Sequence, residues 1–267
     1  MLRALLSAIG FVILTTLLFL VLWPLHWWGM RGRGAVSLLY SRTVCAMLGL
    51  RIRVIGQPVQ GRPVLVVSNH VSWADIIAIT ATAPTIFVAK REVATWPLVG
   101  LVATARPTVF VDRQRRHQTA EANSDIADRL SEGEAIVLFA EGTSSDGNRV
   151  LPFRSALLGA VKDALAKAGV EQITVQPLAI TYTRLSGLPM GRRHRPLAAW
   201  YGDLDLVPHL TDFIRRGPMD VTLSWGEPIE LDGQTDRKAL AQRLEQEVRT
   251  MAALVLRDRP AIPAHAG

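Results

Sequence analysis

His70 and Asp75 are the side chains of this sequence best suited to proton transfer. A carboxylate that fixes an imidazole in one tautomer and stabilises the imidazolium makes a general base. Five residues on a regular helix turn through about 500°, so the two would point roughly 140° apart. They can meet if His70 lies in a turn and Asp75 in the first turn of a helix. Spacing alone also fits an Asn-His helix cap beside an unrelated Asp. Two further polar clusters follow apolar runs. Phe139–Gly147 reads FAEGTSSDG, and Val109–Arg116 reads VFVDRQRR. In the first, Glu141, Gly142 and Thr143 allow close backbone approach and N–H groups aimed at an anion or a carbonyl. An ordinary strand-ending turn is the plainer reading. In the second, Arg113, Arg115 and Arg116 suit a phosphate, or form a solvated face.

Several other chemistries lack their residues. No G-x-S-x-G nucleophile elbow, P-loop or G-x-G-x-x-G fingerprint occurs. The six His residues have no ligand-like spacing, so no metal site is expected. The one Cys, Cys45, lies in an apolar stretch, cannot form an internal disulfide, and is a poor nucleophile there. A base without a protein nucleophile points to activation of a substrate hydroxyl.

Elements must hold these clusters. Pro63–Ser68 is a short β-branched run, and Ala135–Ala140 (AIVLFA) is another. Arg51–Gly56, Thr85–Ala89, Thr108–Asp112, Ile173–Tyr182, Leu197–Tyr201 and Val221–Trp225 also read as strands. Helices are expected over Ala74–Ala83, His117–Glu132, Ser155–Ala168 and Asp236–Arg257. In the last of these, Leu240, Leu244, Val248 and Met251 share a face. The alternation predicts an α/β fold with a mixed sheet flanked by helices, and leaves the strand order open. Polar clusters at the C-terminal ends of strands are where such sheets bind ligands.

Length and charge add bounds. The chain has 267 residues, 49% hydrophobic and 20% charged, with a formal charge of +7. That excludes disorder as the main state, and the pI near 10.3 asks for an acidic partner. Ala4–Leu25 is almost wholly apolar, and as a helix it would be about 33 Å long, enough to cross a hydrocarbon core. Trp23, Trp27 and Trp28 end it, and Arg31, Arg33 and Arg42 follow. Residues 1–50 are expected to anchor the chain to a membrane, with Ala35–Leu50 lying in its plane. The basic flank puts the domain, residues 51–258, on the cytoplasmic side. Residues 259–267 are expected to be a disordered tail.

The clusters resemble the motifs of the glycerolipid acyltransferase family, in order and behind a hydrophobic N-terminus. N-H-x-x-x-x-D is matched by Asn69, His70 and Asp75. An apolar pair before Asp-Arg is matched by Phe110, Val111, Asp112 and Arg113. The family's F-P-E-G-T-R reads Phe139, Ala140, Glu141, Gly142, Thr143, Ser144. A strand with a central Pro is matched by Val175, Pro177 and Ile180. The resemblance spans roughly residues 50 to 230. It implies a membrane-bound O-acyltransferase in which His70 deprotonates an acceptor hydroxyl and Asp75 orients it. Acyl-CoA or an acyl-carrier protein would donate the acyl group, and no further cofactor is implied. Asn69, Arg113, Glu141, Gly142 and Thr143 would bind substrate. The expected reaction is the commonest family activity, which makes phosphatidic acid from 1-acylglycerol-3-phosphate. Ser144, however, stands where the family has an Arg associated with the acceptor phosphate. The stretch SSDGNRVLPF resembles the bacterial lyso-ornithine lipid acyltransferase branch, so acylation of a lyso-ornithine lipid is the alternative expectation. The implied site of action is the bacterial inner (cytoplasmic) membrane. Rival readings from other classes are a non-catalytic lipid-binding module and a nucleic-acid binder. Nucleic acid is disfavoured as a partner because no basic stripe carries interleaved aromatics.

Overall fold

A computed structural model of the chain describes residues 33–60, 63–90, 108–111, 126, 128–130, 132–159, 173–231 and 236–257, with Gly10, Ile13, Thr16, Leu17 and Leu20. In chain order the strands are β1 (Leu50–Ile55), β2 (Val64–Ser68), β3 (Ile86–Lys90), β4 (Thr108–Val111), β5 (Ala135–Phe139), β6 (Ile173–Leu185), β7 (Leu188–Pro189), β8 (Met219–Trp225) and β9 (Ile229–Leu231). The helices are α1 (Arg33–Leu48), α2 (Ala74–Thr80), α3 (Leu206–Arg216) and α4 (Arg237–Leu256). The nine strands among the described residues belong to one sheet, in the order β1-β8-β6-β2-β5-β3-β4, with β7 and β9 also on β6.

The sheet is mixed. β2 is parallel to both neighbours, β5 and β6, while β6 runs antiparallel to β8. A central parallel strand is covered on both faces, which is why β2 is apolar almost throughout and buried at every position. One face packs on α4, where Leu240, Leu244, Val248 and Met251 fall on the buried side. Each such side chain contributes about 1.5–3 kcal/mol on burial. The other face packs on α2 and Phe213 of α3. The α/β architecture is therefore the one the alternation predicts.

Two local expectations differ from the structure. Leu197–Tyr201 forms no strand. Pro196 cannot donate to a ladder, and the chain closes instead into a 3-10 turn over Arg195–Leu197, with the amide of Ala198 donating to Arg195 O at 3.0 Å. α3 was not expected. Pro208 interrupts its pattern but lies in the first turn, where its missing N–H costs nothing. The expected helices over 117–132 and 155–168 are described only at residues 126, 128–130, 132 and 155–159. Of these, 126, 128–130 and 155–159 are helical.

α1 buries Tyr40, Val44, Cys45 and Leu48 at helical spacing against the sheet domain, next to α2. Arg42 on this helix donates from Nε to Ala81 O at 3.0 Å and holds the end of α2. Gly10 lies against Met47: a Cβ there would come 2.8 Å from the Met47 methyl. No helix among the described residues is long and apolar enough to cross a membrane. Most of the expected span, Ala4–Leu25, lies outside the described residues, as does the tail 259–267.

Candidate active site

The central strand ends at Ser68, in register with Phe139 of β5 and Leu178 of β6. Asn69 and His70 therefore emerge at the C-terminal end of β2, beside the end of β5 and against the part of β6 that runs on past it. Past Ser68 the ladder between β2 and β6 stops. Asn69 continues it with a side chain: Oδ1 accepts from Ile180 N at 2.8 Å and Nδ2 donates to Ile180 O at 3.0 Å. With the residue 2% exposed, this amide is occupied by the fold.

His70 and Asp75 do meet. His70 lies in the turn after β2 and Asp75 in the first turn of α2, with Nδ1 and Oδ2 2.9 Å apart. Asp75 Oδ2 also accepts from the amides of Val71 (2.7 Å) and Ser72 (2.9 Å), and Oδ1 accepts from the Tyr182 hydroxyl (2.8 Å). An oxygen taking two N–H donors is a carboxylate oxygen. Nδ1 thus carries the proton and Nε2 is left with its lone pair. The His70 ring stacks on Phe139 with centroids 4.0 Å apart and keeps 18% of its side chain exposed, against 0% for Asp75. This is a base presented to substrate and held from behind.

Tyr182 escaped the sequence reading because it stands 107 residues from Asp75. Its only signal is a polar aromatic at the end of an apolar strand. Burial pushes its phenol well above the ordinary value, so it remains a donor. Tyr182→Phe is expected to lower kcat about tenfold with little change in KM, by removing one hydrogen bond to a buried charge. A matching rise in the KM of the acceptor, or a lowered melting temperature, would make Tyr182 a packing residue only.

Glu141 follows β5 and is 2% exposed. Its Oε2 accepts from the amide of His70 (3.0 Å) and its Oε1 from that of Leu151 (2.7 Å). The carboxyl is thereby a strut between the base-bearing turn and the loop after residue 147. Burial pushes it up to about 8, against the pull of those two amides. The folded carboxyl takes a proton more readily than the unfolded one, so this contribution to stability is full below about 4.5 and is lost as pH rises through about 8. Glu141→Gln is expected to flatten that slope in melting curves between about pH 5 and about pH 9. It should also destabilise the fold by about 1–3 kcal/mol, because its NH₂ faces a backbone N–H. Equal slopes in both proteins would show that Glu141 does not titrate in this window.

Gly142 has φ +70°, which lets the turn reverse, and its amide donates to Phe139 O at 3.1 Å. Thr143 is exposed. Ser144 does not present a free hydroxyl: it donates to Trp200 O at 2.5 Å. Ser145 donates its amide to His70 O at 2.8 Å, and Trp200 donates its own to Val71 O at 2.9 Å. The third motif, the first motif and the segment 195–200 are thus one hydrogen-bonded body. Asp112, Arg113, Arg115 and Arg116 lie outside the described residues, which end for β4 at Val111. The Cys45 thiol is buried and pushed up to about 12, so it supplies no thiolate at neutral pH. Among the described residues no group of His, Cys, Asp and Glu could hold a metal ion.

This geometry agrees with comparisons to known proteins. The acyltransferase family model matches residues 51–181. A lyso-ornithine lipid O-acyltransferase of Brucella abortus is 49% identical over 223 residues, 83% of this chain and 84% of that protein. A 1-acyl-sn-glycerol-3-phosphate acyltransferase of Neisseria meningitidis is 31% identical over 225 residues, 84% of this chain and 82% of that protein. The crystal structure of the 1-acyl-sn-glycerophosphate acyltransferase of Thermotoga maritima aligns over 96% of this chain and 100% of its own, with a TM-score of 0.58 and 23% identity, and shows the same fold. The chain belongs to the acyltransferase family and is an O-acyltransferase.

Proposed function

We propose that the protein transfers a fatty acyl group to the free hydroxyl of a lyso-ornithine lipid. His70 Nε2 takes the hydroxyl proton as the oxygen attacks the thioester carbonyl of acyl-CoA or an acyl-carrier protein. The tetrahedral intermediate collapses, the C–S bond breaks, and the leaving thiolate takes the proton from His70 Nε2, which restores the base. Asp75 fixes the ring and offsets the imidazolium charge, and no acyl-enzyme forms. By motif, Arg113 and the turn at Glu141–Thr143 are assigned to binding the acceptor.

The observation that carries the acceptor assignment is the higher identity to a lyso-ornithine lipid enzyme, 49% against 31% for an enzyme acting on 1-acylglycerol-3-phosphate. Ser144 agrees with it, since its hydroxyl is bonded to Trp200 O and brings no charge for a phosphate. The glycerol phosphate acceptor expected from the family's commonest activity becomes the second reading. Membrane attachment through the N-terminal segment, at a cytoplasmic membrane with the domain on the cytoplasmic side, completes the proposal. It is supported by Ile13, Leu17 and Leu20, at helical spacing and each more than half exposed.

The test is an acceptor panel: purified full-length protein, a radiolabelled acyl donor, and lipid product analysis. Lyso-ornithine lipid should be acylated with a higher kcat/KM than lysophosphatidic acid. The reverse order would return the assignment to the phosphate acceptor.

A further inference from the structure

Asn148 lies in the loop just beyond the third motif, and it holds two opposite charges side by side. Its backbone amide donates to Asp146 Oδ1 at 3.0 Å and its Nδ2 to Asp146 Oδ2 at 3.1 Å. Its Oδ1 accepts from Arg195 Nη1 at 3.2 Å, and Nδ2 also reaches Arg192 O at 3.0 Å. No carboxylate among the described residues is paired with the Arg195 guanidinium, and its Nε–H is buried without an acceptor. Asp146 has no Lys or Arg within ion-pair distance among the described residues either. Two half-buried groups of opposite sign, held apart by an amide, are arranged for a ligand carrying both charges.

Their position relative to the base is fixed by short contacts. Ser145, next to Asp146, is bonded to His70 O. Gly147 fills the space between Val71 and Arg195: a Cβ there would sit 3.2 Å from Val71 Cγ1 and 3.8 Å from Arg195 Cβ. With φ +77°, the position suits only glycine. The paired charges therefore flank the turn that carries His70. Burial pushes the Asp146 carboxyl up, but the two Asn148 groups and the Arg149 charge outweigh it and leave it below the usual carboxylate range, ionised at neutral pH.

We infer that Arg195 and Asp146, bridged by Asn148, form the head-group site for the zwitterion of an amino-acid lipid. The guanidinium takes the carboxylate and the carboxylate takes the ammonium. This deepens the lyso-ornithine reading and rests on it. Ornithine has two amines and one carboxylate; a lipid amide on one amine leaves one charge of each sign. A phosphate monoester would gain from Arg195 but be repelled by Asp146, so the pair selects against it as well as for the zwitterion. On this view the cation that the third motif lacks at Ser144 is supplied by the neighbouring segment to which Ser144 is tied.

The experiment uses the full chain with three acceptors: lyso-ornithine lipid, the same lipid with its free amine acetylated, and lysophosphatidic acid. Asp146→Asn should lower kcat/KM for lyso-ornithine lipid about 10- to 150-fold, the worth of one charge-assisted hydrogen bond. It should leave the acetylated lipid unchanged and raise any use of lysophosphatidic acid. Arg195→Gln should lower both ornithine lipids, with partial recovery in Arg195→Lys. For Asp146→Asn, an equal loss on both ornithine lipids, the mark of a damaged loop and not of a lost ammonium contact, would overturn the site. Equal losses on all acceptors, or a loss expressed in the KM of the acyl donor, would overturn the head-group site while the acceptor reading stands. A wild type that acylates lysophosphatidic acid but not lyso-ornithine lipid would overturn both.

Discussion

His70→Ala is expected to cut kcat by about 10²- to 10⁴-fold, the usual worth of a positioned general base, while the protein melts as the wild type does. The ring contributes one stacked contact with Phe139 and one hydrogen bond to Asp75, both at an edge where 18% of the side chain meets solvent. Little of the core depends on it. Asp75→Asn should be as damaging for another reason. The carboxylate accepts four donors, from His70, Val71, Ser72 and Tyr182, and an amide in its place must turn its NH₂ toward at least one of them. It would also favour the wrong imidazole tautomer, with Nδ1 bare and Nε2 protonated, so that the base is lost although the ring is present. Product formation with stoichiometric protein, read beside a thermal melt, checks both. Turnover within tenfold of wild type in a well-folded His70→Ala would remove the base mechanism.

The pair was legible in the sequence because its geometry is local. Five residues, one strand end and one helix start suffice to bring Nδ1 to Oδ2. Apart from the amides of Val71 and Ser72, what supports the pair arrives from elsewhere in the chain. Tyr182 comes from β6, Glu141 from the end of β5, and the bond between Trp200 and Val71 from a segment read as a strand. Sequence spacing carries no signal for contacts made across a sheet. The strands themselves were legible as apolar β-branched runs, but not their order. β6 pairs with β2, β7, β8 and β9, and nothing in a run of apolar residues states how many neighbours it has.

Ser144 shows the same limit within the third motif. As a letter it reads as a missing Arg. In three dimensions its hydroxyl joins the motif turn to Trp200, and Arg195 stands on that segment five residues earlier. An absent charge in a motif is thus not an absent charge in a site. The roles expected of Glu141 and Gly142 shift likewise. The buried carboxyl of the one holds two backbone amides, and the left-handed backbone of the other reverses the chain. Both shape the wall around His70 with groups that the fold already employs.

Asn69→Ala is expected to cost more stability than any other single change at this site. The resemblance put Asn69 among the substrate-binding residues, whereas its amide extends the sheet by one rung. Its removal orphans the N–H and the C=O of Ile180, in a place where Asn69 is 2% exposed and water has little access. Each orphaned group costs about 1–3 kcal/mol, so about 2–6 kcal/mol in total, out of a typical reserve of about 5–15 kcal/mol. Asn69→Asp keeps the acceptor for Ile180 N but sets a carboxylate oxygen against Ile180 O, and should be no milder. Activity per mole should fall with the folded fraction. In the remaining folded enzyme, the KM for the acceptor should stay within about twofold, since the fold and not the ligand holds the amide. The two roles therefore separate in one experiment that pairs a denaturation curve with steady-state kinetics on the same preparation. A normal denaturation midpoint with a raised acceptor KM would mean that Asn69 leaves Ile180 to bind substrate. A lowered midpoint at constant KM means that the first residue of the N-H-x-x-x-x-D motif acts by fixing where the second one stands.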